Sequence, residues 1–135
     1  MINGIIETAL YVDDVERATQ FYRDVLGLEV MSQDERMAAL SVAGKQVLLL
    51  FKCGASMQPM TFPGGTIPPH DGRGPAHVGF SIPAGDLPAW EQRLTTHGVT
   101  IESRVSWERG GASIYFRDPD AHAVELLTPG VWPIY

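Results

Sequence analysis

Cysteine is almost missing from this sequence: Cys53 is the only one in 135 residues. An internal disulfide is therefore excluded, as suits a reducing compartment. Positive charge is scarce as well, with ten Lys and Arg against sixteen Asp and Glu and a net charge of −6. A phosphate backbone or an anionic membrane surface is a poor partner for such a chain. No apolar run approaches the roughly 20 residues that span a bilayer. Residues 1–7 also lack the basic segment and apolar core of a signal peptide. These absences lead us to expect a soluble, cytoplasmic protein with neither nucleic acid nor membrane as its partner. What is present is ordinary for a globular domain: 44% apolar residues, 19% charged, and enough length for one domain with its own core.

The order of elements is legible from hydrophobic spacing. Residues 5–12 alternate as a strand, with Ile6, Thr8, Leu10 and Val12 on one face and Glu7, Ala9 and Tyr11 on the other. Asp13 and Asp14 offer N-caps, and Glu16 stands three residues after Asp13 as in a capping box. Val15, Ala18, Phe21, Tyr22, Val25 and Leu26 then recur at helical spacing, and Gly27 supplies the stop. A strand from Leu28 and a hairpin of residues 37–42 and 46–51 about Ala43-Gly44-Lys45 complete a strand–helix–three-strand unit. Residues 54–75 follow, rich in Pro and Gly but also carrying Met57, Met60, Phe62 and Ile67. A loop of that length is commonly functional, and its apolar content argues against a solvated tether.

The second half repeats the first. Residues 77–82 alternate, with Val78, Phe80 and Ile82 on one face and His77, Gly79 and Ser81 on the other. Asp86 is placed to cap a helix with Pro88 in its first turn and an apolar stripe of Leu87, Trp90 and Leu94, and Gly98 ends it. Residues 99–102 read as a strand and 107–111 as a loop. A hairpin then turns at Asp118-Pro119-Asp120, where side-chain capping and a fixed φ favour reversal. Two units in the same order form an internal repeat.

The returning strand of that hairpin carries Glu125 among Val124, Leu126 and Leu127. A carboxylate so placed is costly to bury unless a cation, either a metal ion or a basic side chain, faces it. The register of the repeat supplies companions. Glu7 and His77 open equivalent strands, 77 − 7 = 70 positions apart, and Gly27 and Gly98 close equivalent helices, 98 − 27 = 71 apart. The same offset sets Glu125 against the apolar run 47–50, most nearly at Leu48.

In Leu10-Tyr11-Val12-Asp13-Asp14, in Ala18 to Gly27, in Ala76-His77-Val78-Gly79-Phe80 and in Tyr115 to Glu125, the chain resembles the vicinal oxygen chelate superfamily. That superfamily includes glyoxalase I, bleomycin-resistance proteins, fosfomycin-resistance enzymes and extradiol dioxygenases. The resemblance implies an α+β fold of paired βαβββ modules, a first about residues 1–53 and a second about 76–130, whose strands form a curved half-barrel in a single domain. It implies a divalent metal ion (Zn, Ni, Mn or Mg) held by Glu7, His77 and Glu125. It also implies a Tyr, here Tyr115, that hydrogen-bonds a substrate oxygen, and a homodimer in which the partner chain supplies the first-module ligand. Members more often carry His or Gln where this chain has Glu7, and glyoxalase I has a fourth, acidic ligand where this chain has Leu48, so the resemblance is not to glyoxalase I in the strict sense.

The expected function is glyoxalase-like, a metal-dependent lyase or isomerase that moves a proton on a small oxygen-chelating substrate. Glu7 or Glu125 would be the base and Tyr115 the oxyanion donor. Two alternatives belong to other classes: a metal-free drug- or metabolite-binding resistance protein of the bleomycin type, and an extradiol-type dioxygenase, which Glu7 disfavours because such iron sites use two His and one carboxylate. Tyr11, Leu48 and Trp107 are candidate walls of a substrate pocket, Arg109 a clamp for an anionic group, and His70 an acid, base or added ligand within the 54–75 loop. His122 in the hairpin turn reads as exposed, and His97 as a helix-terminal residue favoured by the dipole.

Overall fold

In a computed structural model describing all 135 residues, the alternation of the first strand does what side-chain period two requires. Strand β1 (Glu7–Val12) buries Leu10 and Val12 and leaves Glu7 and Ala9 exposed, but Thr8 and the preceding Ile6, expected on the inner face, are exposed at the strand's open start. Helix α1 (Val15–Asp24) follows, and its buried face is Val15, Ala18, Thr19 and Tyr22. Its cap is Asp14, whose carboxylate accepts from the Arg17 N–H at 3.0 Å. The capping box built on Asp13 does not form, because the strand's extended backbone continues to Asp14 and the side chain that reaches N3 is that of Asp14. Strands β2 (Glu29–Gln33), β3 (Met37–Val42) and β4 (Gln46–Lys52) complete an open sheet in the order β1-β4-β3-β2. β1 runs parallel to β4, with Glu7 beside Val47 and Ala9 beside Leu49. Leu10, Val12, Leu40, Leu48 and Leu50 form the core on the helix-bearing face. Each such side chain removed from water contributes about 1.5–3 kcal/mol.

The chain divides into two compact units, residues 1–74 and 75–135. The Pro/Gly-rich loop belongs to the first and has structure of its own, a small hairpin of β5 (Met60–Phe62) and β6 (Gly65–Ile67). The second unit contains β7 (His77–Ser81), a 3₁₀ turn (Ala84–Asp86), α2 (Leu87–Thr96), β8 (Ser103–Ser106), β9 (Ala112–Arg117) and β10 (Ala123–Leu127). Its sheet order, β7-β10-β9-β8 with β7 parallel to β10, is the order of the first unit. The α+β class and the paired βαβββ modules are therefore as expected, and both sheets are open. The strand expected over residues 99–102 begins at Ser103, since the chain is still emerging from α2, with Val99 N–H bonded back to Leu94 O. Asp86 occupies the N-cap of α2 without a side-chain bond, because the 3₁₀ turn holds its backbone near the helical region.

The hairpin turn is built by Asp118, whose Oδ1 accepts from the N–H groups of Asp120 and His122. His122 is only 2% exposed, contrary to the expectation that a turn histidine faces water. Its Nδ1 accepts the Ala76 N–H at 2.8 Å, which ties the turn to the start of β7. His122→Ala strands that amide, and an unmet buried donor costs about 1–3 kcal/mol. The urea midpoint should fall with the slope unchanged; an unmoved midpoint would show that the bond carries no stability.

Candidate functional site

On the face of the second sheet that carries His77 and Tyr115, the strand register converges three side chains. Glu125 on β10 stands directly across from Tyr115 on β9 and beside Gly79 on β7, while His77 pairs with Ala123, one step along the diagonal. Gly79 leaves the room: a Cβ there would lie 3.6 Å from Glu125 Oε2 and 3.1 Å from Leu127. The Tyr115 hydroxyl donates to Glu125 Oε1 at 2.8 Å. Burial, then the Glu125 carboxylate, raises the Tyr115 pKa, so the phenol stays a donor. His77 Nε2 lies 3.2 Å from Glu125 Oε2, and its ring is roughly stacked on Tyr115. Glu125 is 6% exposed, as its apolar neighbours foretell, whereas the His77 side chain is 54% exposed.

The imidazole's protons follow from its partners. His77 Nδ1 is 3.0 Å from the Ala123 carbonyl, which only accepts, so Nδ1 carries hydrogen. A neutral ring then turns the lone pair of Nε2 onto a carboxylate oxygen, and two acceptors at 3.2 Å repel unless a cation lies against both. A proton satisfies this, and so does a divalent metal. A ring anchored through its far N–H to a backbone carbonyl is also the usual posture of a ligating histidine. The pair therefore fits a metal site.

Glu7 belongs to the other unit. It opens β1 with its side chain exposed, and no group of three or more His, Cys, Asp or Glu placed to hold a metal occurs in the chain. The structure thus brings together His77, Glu125 and Tyr115 of the expected set. Glu7 instead lines a cavity of about 630 Å³ over the open face of the first sheet, with Ala9, Tyr11, Met37, Leu49 and Phe51 among its walls.

His70 joins that cavity, so Tyr11 and His70, both candidates from the sequence, meet there. The Tyr11 hydroxyl is 2.7 Å from His70 Nδ1, and the His70 ring lies edge-on to Phe51 with centroids 4.6 Å apart. Tyr11's pKa is raised by burial and then by the Asp71 charge, which holds the phenol protonated. Leu48 is not a wall: it is 1% exposed on the opposite face, and Leu49 takes its place. Register explains this. Because Val47 sits beside Glu7 as Ala123 sits beside His77, the position matching Glu125 is Leu49, and a slip of one residue turns a strand side chain to the other face. Trp107 and Arg109 lie in the β8–β9 turn of the second unit and line no part of this cavity, and Trp107 donates its Nε1–H to Ser113 Oγ. Leu49 and Phe51 share the face of Glu7 by simple alternation and were findable; Arg36 was not, since it enters from the β2–β3 turn.

These features have counterparts among known proteins. The metallothiol transferase FosB of Bacillus licheniformis is 31% identical over 97% of this chain and 79% of its own length. The glutathione transferase FosA of Serratia marcescens is 29% identical over 93% of this chain and 81% of its own. The structure of a lactoylglutathione lyase from Agrobacterium tumefaciens superposes with a TM-score of 0.88 at 32% identity, covering 98% of each chain. The sequence pattern of one superfamily matches residues 4–126. The chain belongs to the Glyoxalase/Bleomycin resistance protein/Dioxygenase superfamily, the vicinal oxygen chelate proteins.

Proposed function

We propose that this protein is a metal-dependent enzyme acting on a small substrate that chelates through two oxygens, with Glu7, His77 and Glu125 as the ligands. The reading is carried by one observation, His77 Nε2 set 3.2 Å from a buried carboxylate oxygen of Glu125. A bound divalent ion (Zn, Ni, Mn or Mg) supplies Lewis-acid polarisation of a substrate oxygen. The chain's own residues do the rest. Ala123 O and Tyr115 hold the ring and the carboxylate in place through His77 Nδ1 and Glu125 Oε1. Glu7 or Glu125 accepts a proton from the carbon beside the polarised carbonyl. The Tyr115 hydroxyl, kept protonated, turns to the oxygen where negative charge develops. This is lyase- or isomerase-type proton transfer.

The similar proteins favour a second reading. One is a metallothiol transferase, one a glutathione transferase and one a lactoylglutathione lyase, so sulfur chemistry recurs among them. In that case the same carboxylate takes its proton from S–H instead of C–H. Either reaction suits a cytoplasmic homodimer whose partner chain provides Glu7. The test is the metal content of the purified protein, alone and after incubation with each candidate ion. About one equivalent is expected, with Glu7→Ala binding it more weakly by tenfold or more. Near-zero content in every case would replace this reading with that of a metal-free binding protein of the bleomycin-resistance kind.

A further inference from the structure

The cavity over the first sheet says something about the substrate that the chelating residues do not. Glu7 and Tyr11 lie on one face of β1, four residues apart, which at about 3.3 Å per residue separates them by roughly 13 Å. Both line the same space of about 630 Å³, within the range of about 300–1,000 Å³ that receives drug-sized ligands. Between them the walls are mostly apolar, with Ala9, Met37, Leu49, Phe51 and, from the loop hairpin, Met60 and Ile67, while Asp34, Ser56 and Gln58 add polar groups. A substrate of a few atoms held at Glu7 would leave most of that space wet.

The far end is built to read a polar group. His70 is fixed from three directions: its N–H donates to Ser56 O at 2.9 Å, its Nδ1 meets the Tyr11 hydroxyl, and its ring packs on Phe51. Where the Tyr11 phenol is the donor to Nδ1, the ring hydrogen falls on Nε2, leaving that N–H as the donor a ligand can meet. Arg36 lines the same cavity, and its guanidinium is engaged by the Ala55 carbonyl and the Met60 thioether, not by a carboxylate. An imidazole donor and a guanidinium bonded to neutral acceptors, with the Asp34 carboxylate beside the guanidinium and aromatic walls around both, suit an anionic acceptor on an apolar body.

We propose that the substrate is two-headed: oxygens that chelate at the Glu7 end, then an apolar or aromatic body of roughly 13 Å that ends in a carboxylate or similar anionic oxygen bound by His70 and Arg36. This rests on the metal-enzyme reading for its first head only. The second head and the body rest on the cavity.

The test uses the full chain loaded with Mn²⁺ and three probes followed by titration calorimetry: acetohydroxamate, para-carboxyphenylhexanohydroxamate, and the non-chelating primary amide of the latter. The long hydroxamate should bind at least about 100-fold more tightly than acetohydroxamate. His70→Gln and Arg36→Gln should each reduce that ratio by about tenfold, as expected for a lost hydrogen bond to a charged group. Tyr11→Phe, which removes only the hydroxyl that orients His70, should lower the ratio severalfold and guards against misfolding of the other two. Equal affinities for the two hydroxamates, or a ratio indifferent to all three substitutions, overturns the proposal and leaves the metal reading intact. Binding of the amide that depends on His70 and Arg36, with no metal-dependent gain for either hydroxamate, supports the cavity assignment while removing the metal reading.

Discussion

His77→Ala should abolish tight binding of a divalent ion while leaving the second sheet folded. The substitution removes the one imidazole of the proposed ligand set, so the loss should exceed the 10–100-fold seen when a mere supporting residue is removed. The stability cost should be limited, because His77 opens an edge strand with a side chain 54% exposed, and its neighbours in the ladder bond through backbone. The Tyr115 hydroxyl still donates to Glu125 Oε1, so the loss is that of one contact to a buried carboxylate, about 1–3 kcal/mol. The result is read by metal analysis after dialysis against a weak chelator, beside a thermal melt of the metal-free proteins. Tyr115→Phe is the companion: it keeps all three proposed ligands and loses only the bond to Glu125 Oε1, so it should retain the ion at reduced affinity. Equal metal content in wild type and His77→Ala would sink the role given to His77. A collapse of the apo melt in His77→Ala would mean that the contact with Glu125 is structural.

Gly72→Ala should disorganise the cavity of the first unit. A Cβ at residue 72 would lie 2.4 Å from Tyr11 Cδ2 and 2.8 Å from Cε2, closer than real contacts allow. Neither side yields easily. The loop is pinned by the Ser56 carbonyl to the His70 N–H and by Asp71 Oδ1 to the Gly54 N–H, and the Tyr11 ring is stacked on Phe51 with centroids 5.9 Å apart. Forced overpacking of this sort costs about 1–3 kcal/mol, and here it also displaces the phenol that holds His70. A lower unfolding midpoint is expected. In a Tyr11→Ala background the cost of Gly72→Ala should largely vanish, since the clashing ring is gone, and such non-additivity is the mark of a direct contact. Additive effects would mean that the clash is not the cause. Gly74→Ala is the contrast, for its added Cβ meets nothing within 4 Å, and any cost arises from a φ of +81°.

Much of this was readable in advance wherever the physics is local. The alternation of Glu7 to Val12, the cap and stop of α1, and the Asp118 turn depend on residues within one or two turns of chain. The burial of Glu125 followed from its neighbours, and the repeat followed from order and spacing. Local spacing fails where the answer depends on a pairing partner. Leu48 and Leu49 are indistinguishable as letters, and only the register Glu7 to Val47 decides which of them faces the cavity. His122 looks exposed in a turn of Asp, Pro and Ala, yet the amide it accepts from, Ala76, is 46 residues away.

By itself, then, the sequence determined two βαβββ units and a carboxylate that needs a cation, because hydrophobic period and turn chemistry act at short range. Only the tertiary structure decided that the Tyr115 hydroxyl donates to Glu125, that His77 turns Nε2 and not Nδ1 toward that carboxylate, and that Tyr11 and His70, 59 residues apart, meet over the open face of the first sheet. Those are hydrogen bonds between remote segments. Their existence depends on where the folded chain returns, which no local spacing encodes.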